Sequence, residues 1–162
     1  MNPEIIIDGH NLLHRASDLR EIMGRNPEEA REVLIHKLNL LRSGKRIKIS
    51  LVFDGDRVGQ PSRRNVGGIS VTYSIKPVTA DTLIKRMLQK HENPANVLVV
   101  SSDNSILQYA KTYRAQVLRS EEFYRKHLGV KAKPDEDGKQ ADMSKAELAQ
   151  WMKIFNQTDE NE

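Results

Sequence analysis

Three short apolar runs in this chain each end on an aspartate, and this feature constrains the fold more than any other. The runs are EIIID (residues 4–8), IKISLVFD (47–54) and NVLVVSSD (96–103). Apolar runs of this length, rich in Ile and Val, are typical of strands buried on both faces of a parallel sheet. Because the carboxyl ends of parallel strands meet at one edge, the three aspartates are predicted to lie at the same edge.

Helical patterns separate these runs. Asn26 and Pro27 provide a cap and a first helical residue for a helix that ends near Gly44, and a second helix is predicted over 79–91 with Thr79 as its cap. Shorter helices are predicted after Asp103 and from Ser120, with a short strand at AQVLRS between them. The alternation predicts an α/β fold with a doubly wound, mainly parallel sheet. The segment GISVTYSI (68–75) alternates in a way that predicts an edge strand.

The length of 162 residues allows one domain with a single core. We expect that domain over residues 1–130 and a charged linker over 131–143. A capping-box pattern followed by apolar residues at helical spacing predicts a C-terminal helix over 144–156, packed on the domain, with a partner-binding helix as the alternative. Residues 157–162 are predicted to be a frayed tail.

Composition excludes several classes of function. The chain has no cysteine, which rules out disulfides, thiolate catalysis and sulfur-ligated metals. No apolar run is long enough to span a membrane, and no signal peptide precedes the first strand, so a cytoplasmic protein without a membrane partner is expected. The sequence does not indicate an oligomeric state.

Charge is distributed unevenly along the chain. Residues 131–162 carry five Lys and Arg against eight Asp and Glu, whereas residues 1–130 carry 21 against 14. A basic body of this kind favours a polyanionic partner, because Lys and Arg contact phosphates. A merely solvated basic surface would give the same count.

A fourth carboxylate is predicted at the same edge of the sheet. Asp81 lies in the first turn of a helix that would begin there, beside Asp8, Asp54 and Asp103. Grouped carboxylates repel one another unless a cation neutralises them. Oxygen ligands without cysteine select Mg²⁺ or Mn²⁺. The alternative for each aspartate taken alone is a helix cap or a turn residue.

Polar neighbours of these acids are candidates for supporting roles. Asn11 and Asn104 could orient carboxylates or water, and Ser102 could bind a ligand or the scissile phosphate. The segment GDRVGQPSRRNVGG (55–68) is predicted to be a loop beside Asp54. Its arginines suit phosphate groups and predict RNA binding, with an ordinary solvated loop as the alternative. These arginines are Arg57, Arg63 and Arg64.

Four motifs together resemble one family. IIIDGHNLL, LVFDGD, TADTLIKRM and VVSSDNSI occur in this order, and over residues 4–128 the chain resembles the YacP-like branch of the NYN domains, relatives of the PIN-domain nucleases. The resemblance implies metal-dependent RNA cleavage by a ribosome-associated endoribonuclease that acts on mRNA. It places the family's functional residues at Asp8, Asn11, Asp54, Asp81 and Asp103. His10 departs from the family, in which an aromatic residue such as Tyr is commoner.

The leading hypothesis is therefore an Mg²⁺- or Mn²⁺-dependent endoribonuclease. Asp8, Asp81 and Asp103 would hold the metal, with Asp54 in support and Asn11 as an orienting group. An RNA- or ribosome-binding module with a vestigial metal site is the alternative. An aspartyl-phosphate phosphatase is disfavoured by His10, where such enzymes need a second Asp, and a Rossmann nucleotide site by the lack of GxGxxG.

Overall fold

The computed structural model describes residues 2–55 and 62–129. Within these ranges the strands are Glu4–Asp8 (β1), Lys48–Phe53 (β2), Ser62–Val66 (β3), Ile69–Tyr73 (β4), Val97–Val100 (β5) and Gln116–Leu118 (β6). The helices are Gly9–Arg15 (α1), Ser17–Arg25 (α2), Pro27–Arg42 (α3), Ala80–Lys90 (α4), Asn104–Thr112 (α5) and Ser120–Phe123 (α6). A 3₁₀ turn at Pro94–Asn96 precedes β5, and a π-helical turn at Tyr124–Leu128 follows α6.

The strands form one sheet in the order β3-β4-β2-β1-β5-β6, and every pairing except β3 with β4 is parallel. The chain builds outward from β1 to β2 and β4, and then crosses to β5 on the other side of β1. The boundary between β1 and β5 is therefore the switch point of the strand order, where ligands of open α/β sheets bind. The predicted fold class is confirmed.

The core has two layers, one on each face of the sheet, so β1 is buried on both sides. Ile5 and Ile7 point into a cluster with α1, α2 and α3, whereas Ile6 points into a cluster with α4 and α5. All three isoleucines are fully buried. This arrangement explains the continuous apolar run in the sequence, because a strand covered by helices on both sides has no solvent-facing positions.

The predicted helix caps are present. The Asn26 carboxamide oxygen accepts from the Glu29 N–H at 3.2 Å at the start of α3. The Thr79 hydroxyl accepts from the Thr82 N–H at 3.2 Å at the start of α4. Each side chain satisfies an amide that the first turn of a helix leaves without a partner.

The prediction of a loop over 55–68 was wrong in its second half, and so was the edge position of the following strand. Ser62–Val66 forms β3, which pairs antiparallel with β4 and is the edge strand. A two-residue turn joins them, with φ values of 61° at Gly67 and 102° at Gly68. Glycine adopts such values at little cost, and a pair of them suits a tight hairpin.

No helix in the described part of the chain is long and apolar enough to cross a membrane. The predicted linker (131–143), C-terminal helix (144–156) and tail (157–162) lie outside the described residues.

Candidate active site

Asp8 lies at the switch point, as the last residue of β1. Its residue exposure is only 9%. Across the switch point, the fully buried Ser101 hydroxyl donates to Asp8 Oδ2 at 3.2 Å, and the Asn11 backbone N–H donates to the same carboxylate. The fold thus holds one buried carboxylate in place from both the start of α1 and the segment after β5.

The electrostatics of Asp8 show that other acids lie near it. Burial raises the pKa of Asp8 from 3.8 to about 6, although the hydrogen bonds from Ser101 and Asn11 lower it. The negative charges of Asp54 and Asp103 are smaller contributions to the same increase. The fold therefore brings Asp54 and Asp103 within electrostatic range of Asp8.

Asp54 and Asp103 are each held by the start of a helix. Asp54 Oδ1 accepts from the Ala80 N–H at 2.7 Å at the beginning of α4. Asp103 Oδ1 accepts from the Ser105 N–H at 2.8 Å at the beginning of α5. Both acids therefore have the helix-capping role that is the alternative to a role in catalysis. Because the same bonds fix each carboxylate at the edge of the sheet, capping and ligand binding are compatible here.

Asp81 forms an ion pair with a lysine one turn later on α4. Lys85 Nζ lies 3.3 Å from Asp81 Oδ1 and 3.4 Å from Oδ2, and it donates to the Ser105 hydroxyl at 2.9 Å. Asp81 Oδ1 is buried, and it accepts no hydrogen bond of good geometry from the described residues despite its closeness to Lys85. Lys85 thus connects Asp81 to the first turn of α5, next to Asp103.

Asn11 connects three parts of the site. Its Oδ1 accepts from the Ser102 N–H at 2.8 Å and from the Ser120 hydroxyl at 2.7 Å. The Ser102 hydroxyl donates to the Glu121 carboxylate and accepts from the Ser120 N–H at 3.1 Å. The structure therefore places both Asn11 and Ser102 in internal bonds that fix the β5–α5 connection against α1 and α6.

The remaining predicted contact residues lie farther out. Asn104 Oδ1 accepts from Arg119 at 3.4 Å at the start of α5. Arg63 and Arg64 are exposed on the edge strand β3, where Arg63 Nε donates to the Ser70 hydroxyl at 3.1 Å. Arg57 lies outside the described residues. Two of the three arginines are thus carried by a strand instead of a loop.

His10 packs at the rim of the site. Its ring meets Phe53 edge to face, with 5.7 Å between centroids. A Cβ at the neighbouring Gly9 would lie 2.3 Å from the same Phe53 ring, so only glycine fits directly after Asp8. The Asp-Gly pair in the first motif therefore has a packing reason as well as a chemical one.

Comparisons with known proteins identify the family of this chain. The family model for the YacP-like NYN domain matches residues 5–160. The chain belongs to the YacP-like NYN domain family. NYN domains are generally nucleases of the PIN-like group, and such nucleases typically use divalent metals.

Proteins from Bacillus subtilis that resemble this NYN domain are a curated sequence and two crystal structures. A protein described as uncharacterized protein YacP is 27% identical over 107 residues, a match that covers 65% of this chain and 63% of the relative. The crystal structure of a W164L mutant of Rae1 (YacP) superposes with a TM-score of 0.65 at 24% identity over 76% of this chain and 73% of that one. A second Rae1 (YacP) crystal structure gives 0.62 at 21% identity over 97% and 83%. These structures show that the fold is shared.

The donor atoms of this NYN domain fit a divalent cation by their chemistry. Asp8, Asp54, Asp81 and Asp103 offer only carboxylate oxygens, and Asp81 Oδ1 is a buried acceptor without a hydrogen bond from the described residues. However, residues 2–55 and 62–129 contain no group of three or more His, Asp or Glu placed to hold a metal ion. Asp8, Asp81 and Asp103 therefore do not form such a group among the described residues, where Lys85 pairs with Asp81.

Sequence reasoning missed three side-chain contacts that shape the site. Ser101 bonds Asp8, Lys85 neutralises Asp81, and Glu121 accepts from Ser102, a hydrogen bond that lowers the pKa of Glu121. The contact of Lys85 with Asp81 could have been found, because residues four apart on a helix are neighbours. Ser101 and Glu121 carry no comparable signal, since their partners are distant in sequence.

Proposed function

We propose that this NYN domain is a divalent-metal-dependent endoribonuclease that hydrolyses RNA phosphodiester bonds. The observation that carries the proposal is the buried carboxylate of Asp8 at the switch point of the sheet, with Asp54 and Asp103 in electrostatic range. Family membership supports the reaction class, because NYN domains are generally nucleases.

Each residue of the site has a distinct proposed task. Asp8, Asp81 and Asp103 would hold Mg²⁺ or Mn²⁺, and Asp54 would support the ion. When bound, the ion supplies an activated water and stabilises charge on the phosphate.

Asn11 keeps the β5–α5 connection, and with it Asp103, in position through its bond to the Ser102 N–H. Arg63 and Arg64, exposed on β3, are proposed to contact phosphates of the RNA, together with Arg57 and Asn104. The Ser102 hydroxyl is proposed to do so by exchanging its bond to Glu121 for one to a phosphate oxygen.

The proposed substrate is mRNA, cleaved at the ribosome. Support for an RNA comes from the excess of Lys and Arg over Asp and Glu in residues 1–130, 21 against 14. The ribosome and mRNA are carried over from the family resemblance.

A second candidate function has one specific observation in its favour. The Lys85 ion pair already neutralises Asp81, as expected of a domain that binds RNA without cleaving it. In that case the carboxylates would be a vestigial site, and the protein would act as an RNA- or ribosome-binding module.

Cleavage of labelled RNA by the full chain separates the two functions. We expect cleavage with Mn²⁺ that EDTA abolishes. In Asp8→Asn the rate should fall by more than about a hundredfold, because even partners of metal ligands cost 10- to 100-fold when removed. Glu32→Gln, a matched acid-to-amide change at an exposed position of α3, should leave the rate unchanged.

Full activity in Asp8→Asn would contradict the assignment of the site. Binding of RNA without any Mn²⁺-dependent cleavage by the unaltered protein would favour the non-catalytic module. Repeating the assay on free and ribosome-bound mRNA tests the ribosome: equal rates on both would contradict a requirement for it.

A further inference from the structure

A basic groove lies at the amino ends of the parallel strands, opposite to the candidate active site at their carboxyl ends. It encloses about 650 Å³, and its basic residues are Arg42, Lys45, Arg46, Lys48, Lys90 and His91. We propose that this basic groove is a second RNA contact, which binds the phosphate backbone away from the bond that is cleaved.

The fold gathers these side chains from elements far apart in sequence. Arg42 and Lys90 lie in the last turns of α3 and α4, and Lys48 begins β2. Amino ends of parallel strands and carboxyl ends of the crossover helices meet at one edge of such a sheet. Helix carboxyl ends also favour cations, which makes this edge a stable place for a basic cluster.

The positive charge of the basic groove is only partly neutralised. Two acids, Glu4 and Glu92, also line it. Glu4 is buried at 5% exposure and lies 3.5 Å from Lys48 Nζ and 3.7 Å from His91 Nε2, so it is satisfied within the protein. Among residues 2–55 and 62–129, neither Lys45 nor Lys90 pairs with a carboxylate.

The lining chemistry indicates the kind of ligand. The described lining contains no Phe, Tyr or Trp, so it offers no surface on which bases could stack. Lys and Arg around an open groove instead suit phosphate oxygens, contacts that carry little sequence information. A protein partner is less well matched, since stable protein interfaces need apolar or aromatic anchors and the apolar Ile47 here is buried.

The basic groove and the candidate active site cannot contact the same phosphate. Glu4 in the groove and Asp8 in the site are four residues apart on β1, which corresponds to about 13 Å at 3.3 Å per residue. An RNA that uses both must therefore be long or folded. This inference rests on the proposed function only for the choice of RNA as the polyanion.

The test compares two double variants of the full chain with equal charge change. The groove variant carries Lys45→Gln and Lys90→Gln, and the control carries Arg20→Gln and Arg25→Gln at exposed positions of α2. Binding of a labelled stem-loop RNA of about 30 nucleotides (long enough, by its folded shape, to span both edges) is followed by fluorescence anisotropy in EDTA, which prevents metal-dependent cleavage.

We expect the groove variant to bind about tenfold more weakly than the control at low salt. The slope of log affinity against log salt should fall by between about 1.4 and about 1.8, as the loss of two phosphate contacts requires. Thermal unfolding establishes that both variants fold. If the double variant does not fold, Lys90→Gln alone is used, with half the change in slope expected.

Equal affinity and equal salt dependence in the groove and control variants would overturn the proposal and leave an acidic protein segment as the better occupant. Failure of the proposed function would look different. Then no variant would cleave RNA with Mn²⁺, while the groove variant would still bind RNA more weakly than the control.

Discussion

The two ends of β1 each carry a buried carboxylate, and the charged groups around these two carboxylates have opposite signs. Glu4 at the amino end is 5% exposed and Asp8 at the carboxyl end is 9% exposed. Glu4 has Lys48 at 3.5 Å, His91 at 3.7 Å and a hydrogen bond from the Ser50 hydroxyl at 3.3 Å. Asp8 has hydrogen bonds from Ser101 and Asn11, and its charged neighbours are other acids.

The side of the sheet does not explain this difference. Glu4 and Asp8 are four residues apart on one strand, so both side chains point to the same face as Ile6. What differs is the end of the strand. The amino-end acid is neutralised by the protein's own bases, whereas the carboxyl-end acid is left with excess negative charge. Such a site gains most from a cation supplied from outside.

The largest expected effect on stability is that of Asp8→Asn. Because burial raises the pKa of Asp8 to about 6, the folded state favours the protonated acid. This stability is fully present below about pH 4 and is lost as the pH rises through 6. A shift of about two pH units corresponds to about 3 kcal/mol at pH 8. Asp8→Asn should raise the free energy of unfolding by up to that amount.

Urea unfolding in EDTA at several pH values between 4 and 8 measures this effect. The gain should shrink as the pH falls and disappear near pH 4, where both forms of the protein carry a neutral side chain. A variant that is less stable than the unaltered protein at pH 8 would show that the charge of Asp8 is compensated inside the fold.

Addition of Mn²⁺ should stabilise the unaltered protein by a somewhat smaller amount. At a hundred times its dissociation constant, a ligand that binds only the folded state contributes about 2.7 kcal/mol. The rise in Tm should be absent in Asp8→Asn, because one carboxylate of the site is gone. An equal rise in both proteins would place the ion elsewhere and remove the contrast between the two ends of β1.

The sequence was a good guide to the parts of the fold that local chemistry determines. Apolar runs and capping residues such as Asn26 and Thr79 were correctly interpreted, since their signals lie within a few positions. The β3–β4 hairpin was missed because its strand, SRRNV, has none of the apolar residues expected of a strand apart from its last. Its indication was the glycine pair at 67–68, which a tight turn requires.

The candidate site was predictable in its acids and not in their surroundings. The common location of the strand-end aspartates follows from the topology, and the charges of Asp54 and Asp103 raise the pKa of Asp8. The ion pair of Lys85 with Asp81 was within reach of helical spacing but was not anticipated. The basic groove was out of reach, because Arg42, Lys48 and Lys90 meet only after the sheet has formed.

The smallest expected effect is that of Glu4→Gln, and it tests the other half of the comparison. Removal of this charge should lower the free energy of unfolding by about 1 kcal/mol. Lys48 is 55% exposed, so its ion pair with Glu4 contributes less than about 1 kcal/mol. The hydrogen bond from Ser50 to Glu4 is long at 3.3 Å and contributes about 1 kcal/mol, part of which glutamine retains.

Urea unfolding at pH 7, with Lys48→Met as the matched change on the partner, measures this effect. Mn²⁺ should stabilise Glu4→Gln as much as it stabilises the unaltered protein, because this acid is already neutralised. If Glu4→Gln instead increased stability, as Asp8→Asn is expected to do, the negative charge of each carboxylate would destabilise the folded state. Both ends of β1 would then carry excess negative charge, and Glu4 would itself become a candidate for binding a cation.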